Sequence, residues 1–240
     1  MVACSPEDGH LDVNELLWSY LRHARRRGAE LRLGEEVKDI KVGQGRCRGV
    51  VTRAGEYEAP WVINASGAWA GNIRKLAGRS PVELTPYRRT IVTFAAPEGL
   101  DVKKWPLTAD LSHDLYFSPE SAGLLASPMD EDPMEPCDAR PDELVVAQTI
   151  ERLKRLTPRL VPKSIIRKWA GLRTMAPDQT MVIGEDPVVK GFFWLSGQGG
   201  SGIETSPAVG QIASDLIIGG RTDLMDVQPI SPNRFNDTET

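Results

Sequence analysis

The stretch GFFWLSGQGGSGIETSPAVGQIASDLIIGG, Gly191 to Gly220, decides how the rest of the chain is read. Phe192 to Leu195 is an apolar run of strand length, and Val209, Ile212, Ala213, Leu216 and Ile217 recur at helical spacing. Between them lies SGQGGSG, and Pro207 stands where a helix usually starts. The pattern predicts a strand, a glycine loop and a helix N-terminus. Glycine lets backbone pass close to a ligand. The free amides and the positive end of the helix dipole would face an electron-rich group, either a phosphate or the N1/C2=O edge of a reduced flavin. A tight strand-to-helix connection with no ligand fits the same residues.

Gly197, Gly199 and Gly202 match GxGxxG in form. The dinucleotide fingerprint also needs a βαβ unit and an acidic residue about 20 positions on. The residues after Gly220, RTDLMDVQPISPNRFNDTET, read as a polar tail over 223–240 with no second strand. The loop is therefore not a Rossmann fingerprint.

A chain of 240 residues holds one large domain or two small ones. The net charge of −4 argues against a nucleic-acid surface, and Arg22, Arg25, Arg26 and Arg27 read as a solvated helix face. Cys4, Cys47 and Cys137 are odd in number and widely spaced, which predicts reduced thiols and a cytoplasmic protein. His10, His23 and His113 have no metal-ligand spacing, so no metal is expected. No run reaches 18 apolar residues and the N-terminus has no apolar signal region, so neither secretion nor a membrane span is expected.

Asp12 is placed to cap an amphipathic helix carrying Val13, Leu16, Leu17, Tyr20 and Leu21, stopped at Gly28. Short strands are predicted at 30–33, 36–42, 45–52 and 56–58, together a small meander. Trp61 to Ala65 reads as a buried strand running into Ser66 and Gly67 and a helix to Ala77. Residues 84–126 read as a largely antiparallel sheet. An acidic, proline-rich loop, 127–140, precedes a helix from Pro141 to Leu156, and strands are predicted at 164–170 and 181–183. The fold class is mixed α/β. The polar candidates for chemistry are Arg89, Tyr116 and Arg173, a set suited to an anion beside a glycine loop. Arg88 and Arg89, adjacent on one strand, point to opposite faces, so at most one enters a site.

WVINASGAWA (61–70), WAGLRTMAPDQTMVIGEDP (169–187) and the glycine-loop segment together resemble the D-amino-acid oxidase-like flavoprotein family, which includes glycine and sarcosine oxidases. With YRRTIVTFAAPEGLD (87–101) and LYFSPESAGLLASPMDEDPMEPCD (115–138), the likeness is greatest to bacterial D-arginine dehydrogenase. The resemblance implies FAD as cofactor. It also implies an FAD-binding Rossmann-like domain, here incomplete and assigned to residues 1–82 and 169–222, interleaved with an antiparallel substrate domain at 83–168.

Residue by residue, Val37 matches the position whose backbone meets the adenine, and Ala65, Ser66 and Gly67 match the small-residue turn against the cofactor. Gly197, Gly199, Gly200, Ser201, Gly202 and Ile203 match the loop at the isoalloxazine. Arg173 matches the carboxylate-binding arginine, with Arg89, Tyr116 and Gly200 at substrate positions. No side chain is assigned as a catalytic base. Ser201 departs from the tyrosine of the nearest pattern, QGGYGI. The strand, GxGxxG and helix that grip the FAD pyrophosphate are expected to be missing. The implied activity is oxidation of D-amino acids, basic ones among them, to imino and 2-oxo acids. The alternatives are a non-catalytic remnant, a subunit of a split flavoenzyme completed by another chain, and glycine- or sarcosine-type amine oxidation.

Overall fold

The computed structural model describes residues 5, 7, 9–78, 82–121 and 123–238. The elements run α1 (Val13–Arg26), β1 (Val37–Gly43), β2 (Arg46–Thr52), β3 (Glu56–Glu58), β4 (Val62–Asn64), α2 (Ala70–Leu76), β5 (Thr85–Phe94), β6 (Thr108–Asp110), β7 (Leu115–Glu120), β8 (Gly123–Ser127), β9 (Asp132–Pro133), α3 (Glu143–Leu156), β10 (Ile165–Met175), β11 (Val182–Glu185), β12 (Phe192–Ser196) and α4 (Ser206–Gly219). Contacts divide the chain into two units, Met1–His23 with Arg88–Pro133 and Cys137–Leu172, and Ala24–Tyr87 with Met134–Pro136 and Arg173–Thr240.

The first unit carries most of a six-stranded sheet in the order β10-β5-β8-β7-β6, with β9 on β5. Three of its pairings, β5 with β8, β8 with β7 and β7 with β6, are antiparallel, Val92 opposite Ala126 and Phe117 opposite Ala126 and Thr108. Alternation along β5, β7 and β8 sends Val92, Phe94, Leu115, Phe117, Leu124 and Ala126 to one face. There they pack with Val146 and Leu153 of α3. Asp142 caps α3 by accepting from the Leu144 amide at 2.8 Å.

The second unit holds two three-stranded sheets. The β1-β2-β3 meander is antiparallel, as its glycine-punctuated sequence predicts. Gly49 sits where an added Cβ would stand 1.9 Å from the Tyr57 carbonyl oxygen, so only glycine lets β3 close on β2. The other sheet has the order β11-β12-β4, β12 antiparallel to β11 and parallel to β4. The apolar run of β12 is buried on both faces: Phe192 and Trp194 enter one cluster with Val182 and Ala70, and Phe193 enters another with Val209 and Ile212 of α4.

Three expectations change. Residues 30–33 form no strand, and Leu31 and Leu33 are exposed at 41% and 81%. Alternation there meets no partner strand among the described residues. The tail is not simply polar, because short 3-10 turns at Gln228–Ile230 and Pro232–Thr238 bury Ile230 and Ser231. Phe235 packs on the cluster beneath β12. Helix α1 is capped as predicted, Asp12 Oδ1 accepting from the Glu15 amide, yet none of its residues is buried. Its arginines are solvated. Cys47 and Cys137 are free thiols, and Cys4 lies outside the described residues.

Candidate flavin and carboxylate site

Because β4 and β12 are parallel neighbours, the turns after them leave from the same end of the sheet. That carboxyl end is where open α/β sheets place ligands. The turn after β4 is Ala65, Ser66 and Gly67, with Gly67 at φ +56°. The turn after β12 runs from Gly197 to Gly202. Two polar residues that the sequence reading missed stitch these turns together. Ser196 Oγ donates to the Asn64 carbonyl at 2.8 Å. Asn64 Nδ2 donates to the Ala70 carbonyl at 2.8 Å, and its Oδ1 accepts from Ser66 Oγ at 2.6 Å. Asn64 is 2% exposed. An asparagine ending an apolar strand, WVIN, was the available signal, since a polar group so placed needs partners of its own.

The glycine loop is anchored at both ends. The Gly199 amide donates to the Thr174 carbonyl at 3.0 Å and the Ser201 amide to the Gln198 carbonyl at 3.1 Å. Thr205 Oγ1 donates to the Ser201 carbonyl at 2.7 Å as α4 begins, with Pro207 in its first turn. Gly197 and Gly199 have φ of +70° and +55°. Gln198 Nε2 and Oε1 and Thr174 Oγ1 are buried with no hydrogen-bond partner among the described residues.

Arg173, near the end of β10, lies against this loop. A Cβ built on Gly200 would stand 3.1 Å from its Nη1, 3.2 Å from Cζ and 3.6 Å from Nε. The half-buried Arg173 makes no hydrogen bond or ion pair among the described residues. Arg89 is different: 6% exposed, it donates from Nη2 to Glu131 Oε1 at 2.6 Å. Arg88 binds Asp132 at 2.6 Å, with Asp130 and Asp142 farther away. The acidic loop thus faces both arginines. Tyr116 stands half-buried in β7, paired with Ala109 and Ser127. Val37 opens β1 in the meander and packs on the cluster that contains Ile40 and Trp194. Among the described residues no acidic or His/Cys group of three could hold a metal ion, and no helix is long and apolar enough to cross a membrane.

Residues 2–216 match the family described as FAD dependent oxidoreductase (DAO). The chain belongs to this family. It is 26% identical over 248 residues to mouse dimethylglycine dehydrogenase, a match covering 96% of this chain and 28% of the relative. Among solved structures, L-proline dehydrogenase from P. horikoshii superposes with a TM-score of 0.82 at 24% identity, covering 93% of this chain and 59% of the other. Glycine oxidase from Bacillus cereus superposes with a TM-score of 0.76 at 25% identity, covering 92% and 60%. The chain therefore spans less than two thirds of these proteins. Membership implies FAD, and the paired turns fit the ring of such a cofactor: bare glycine backbone and a helix start lie at one sheet end, and the buried Gln198 carboxamide in the loop has no hydrogen-bond partner among the described residues.

Proposed function

We propose that this chain forms the substrate side and flavin-ring side of an FAD-dependent oxidoreductase acting on amines that carry a carboxylate, D-amino acids among them. The observation that carries this reading is the Arg173 guanidinium lying on the glycine loop, unpartnered among the described residues. A guanidinium presents five N–H donors in one plane and grips a carboxylate with two parallel hydrogen bonds. Held there, the substrate presents its Cα–H over the loop at near-attack distance. FAD, when bound, supplies the two-electron acceptor. The oxidised substrate is an imine, which water converts to a 2-oxo acid and ammonia or free amine.

The loop amides and the start of α4 contribute positive potential where negative charge gathers during the transfer. Ala65 to Gly67 and Val37 complete the cofactor side in this reading. By the family resemblance, Tyr116 takes the role of a donor to the substrate carboxylate, and Arg89, held by Glu131, that of a pocket-wall residue. No side chain acts as a strong base if the amine binds uncharged.

The test is a spectral titration of the chain with FAD, followed by anaerobic addition of D-arginine, glycine and sarcosine separately. Bleaching by D-arginine supports the D-amino-acid form, and bleaching by glycine or sarcosine alone moves the substrate to small amines. FAD binding with no bleaching by any amine supports the non-catalytic alternative. Absence of FAD binding sinks the reading for this chain. In active protein, Arg173→Ala is expected to cost about 2 to 5 kcal/mol of carboxylate recognition, seen mainly in KM.

A further inference from the structure

Glycine stands at four of the six positions from Gly197 to Gly202, for two different physical reasons. Gly197 and Gly199 have positive φ, which other residues adopt only with strain. Gly200 and Gly202 do not, so their backbone conformation does not require glycine. What they provide is space. A Cβ on Gly202 would press on Gln198 Cβ at 3.0 Å, a side-chain stub with little freedom to move. A Cβ on Gly200 would press on the guanidinium of Arg173, the mobile end of a long side chain.

The three distances at Gly200 also give the orientation. Cζ is almost as close as Nη1, at 3.2 against 3.1 Å, and Nε is next at 3.6 Å. An approach from the rim would leave Cζ about one bond length farther than the nearest nitrogen. Gly200 therefore faces the plane of the guanidinium. All five donors lie in that plane and point sideways. A face-on backstop fixes the depth of the group while leaving every donor open.

We propose that Gly200 is a positioning residue: its bare Cα sets the depth and tilt of the Arg173 guanidinium, and so fixes where the substrate carboxylate is held over the loop. This rests on the reading of Arg173 as the carboxylate group. A methyl group at position 200 moves the guanidinium by a few tenths of an ångström and leaves the backbone alone. The fold tolerates the change and the site does not.

The test titrates the full 240-residue chain with sodium acetate, following the Arg173 side-chain Nε–H resonance, with urea unfolding measured in parallel. Wild type, Gly200→Ala, Arg173→Lys and the double variant are compared. Gly200→Ala is expected to keep the wild-type urea midpoint while binding acetate about tenfold more weakly, the scale for a small misplacement of a recognition group. In the Arg173→Lys background, with acetate binding followed on the ammonium group of the introduced lysine, adding Gly200→Ala is expected to change nothing further, because there is no planar group left to displace. Wild-type affinity in Gly200→Ala overturns the proposal. So does a lowered urea midpoint, or a tenfold loss that persists with lysine at position 173. An absence of any acetate response in wild type removes Arg173 as the carboxylate group, and the role of Gly200 with it.

Discussion

Arg74 and Asp186, 112 positions apart in sequence, meet as a fully buried bidentate ion pair, Nε to Oδ2 at 2.7 Å and Nη2 to Oδ1 at 3.0 Å. The remaining capacity of the carboxylate is used by Trp194 Nε1 at 2.9 Å and by the amides of Val188 and Val189 at 2.9 and 2.8 Å. Arg74 Nη1 closes the end of α2 by donating to the Gly78 carbonyl. The pair ties α2, which comes after the Ala65–Gly67 turn, to the residue just after β11, and through the Trp194 hydrogen bond to β12, which leads into the glycine loop. Arg74→Met would leave the Asp186 charge buried without its cation, at a cost of about 3 to 5 kcal/mol. Urea unfolding measures it, and a loss below about 1 kcal/mol would mean that the pair is not a clamp.

The same carboxylate gives stability a pH signature. Burial, the largest influence on Asp186, pushes its pKa up, but the hydrogen bonds from Arg74, the Val189 amide and Trp194 together with the Arg74 charge hold it below the ordinary carboxylate range. With the folded value below the unfolded one of about 3.9, the contribution is fully present above that pH and disappears as pH falls through the folded value. Asp186→Asn should therefore be less stable than wild type at pH 7, with the gap shrinking below about pH 4. A gap independent of pH between about 7 and 3 would contradict this account.

Much of this architecture was legible in the sequence, and what was not has a common cause. The periods of β12 and α4, the Asp12 cap and the meander come from local pattern, because neighbours along the chain decide them. Asp186 and Ser196 do not stand out in the sequence, and Asn64 does so only as a polar end to an apolar strand, because their partners are remote or appear only when β4 and β12 lie side by side. Residues 30–33 depart for the opposite reason: alternation predicts a strand only where another strand is present to pair with it. Ile230 and Phe235 give a weak apolar signal in a polar tail. Their burial depends on Gly184, where an added Cβ would stand 2.9 Å from Pro232 Cδ. For the site, the loop and Arg173 were visible as residue types, while the open guanidinium and its orientation on Gly200 are facts of three dimensions.

Gln198 should be destabilising as it stands. Both polar atoms of its carboxamide are buried and unpaired among the described residues, and leaving a buried polar group unsatisfied costs about 1 to 3 kcal/mol. Methionine keeps the length and unbranched shape while removing both polar atoms. Gln198→Met is expected to raise the unfolding free energy of the ligand-free protein by about 1 kcal/mol. A lower value in urea titration would show that the amide has partners in solution.

Arg89 and Glu131 offer an asymmetric pair, because the arginine side chain is 7% exposed and the glutamate 54%. Removing the glutamate takes a carboxylate away from a buried charge, whereas the glutamate that removal of the arginine leaves behind is already open to water. Glu131→Ala should therefore cost more than Arg89→Leu, about 1 to 3 kcal/mol against less than about 1, since an apolar side chain of similar bulk replaces a buried charge with little loss. The comparison also separates two roles for Arg89. As part of the pocket wall held by Glu131, it gives a KM for carboxylate-bearing amines that responds to Glu131→Ala and Arg89→Leu in step. As a direct substrate contact, it makes Arg89→Leu raise KM far more than Glu131→Ala does. Steady-state kinetics beside urea titrations of the two variants decide between them, and a larger stability loss in Arg89→Leu than in Glu131→Ala would refute the asymmetry itself.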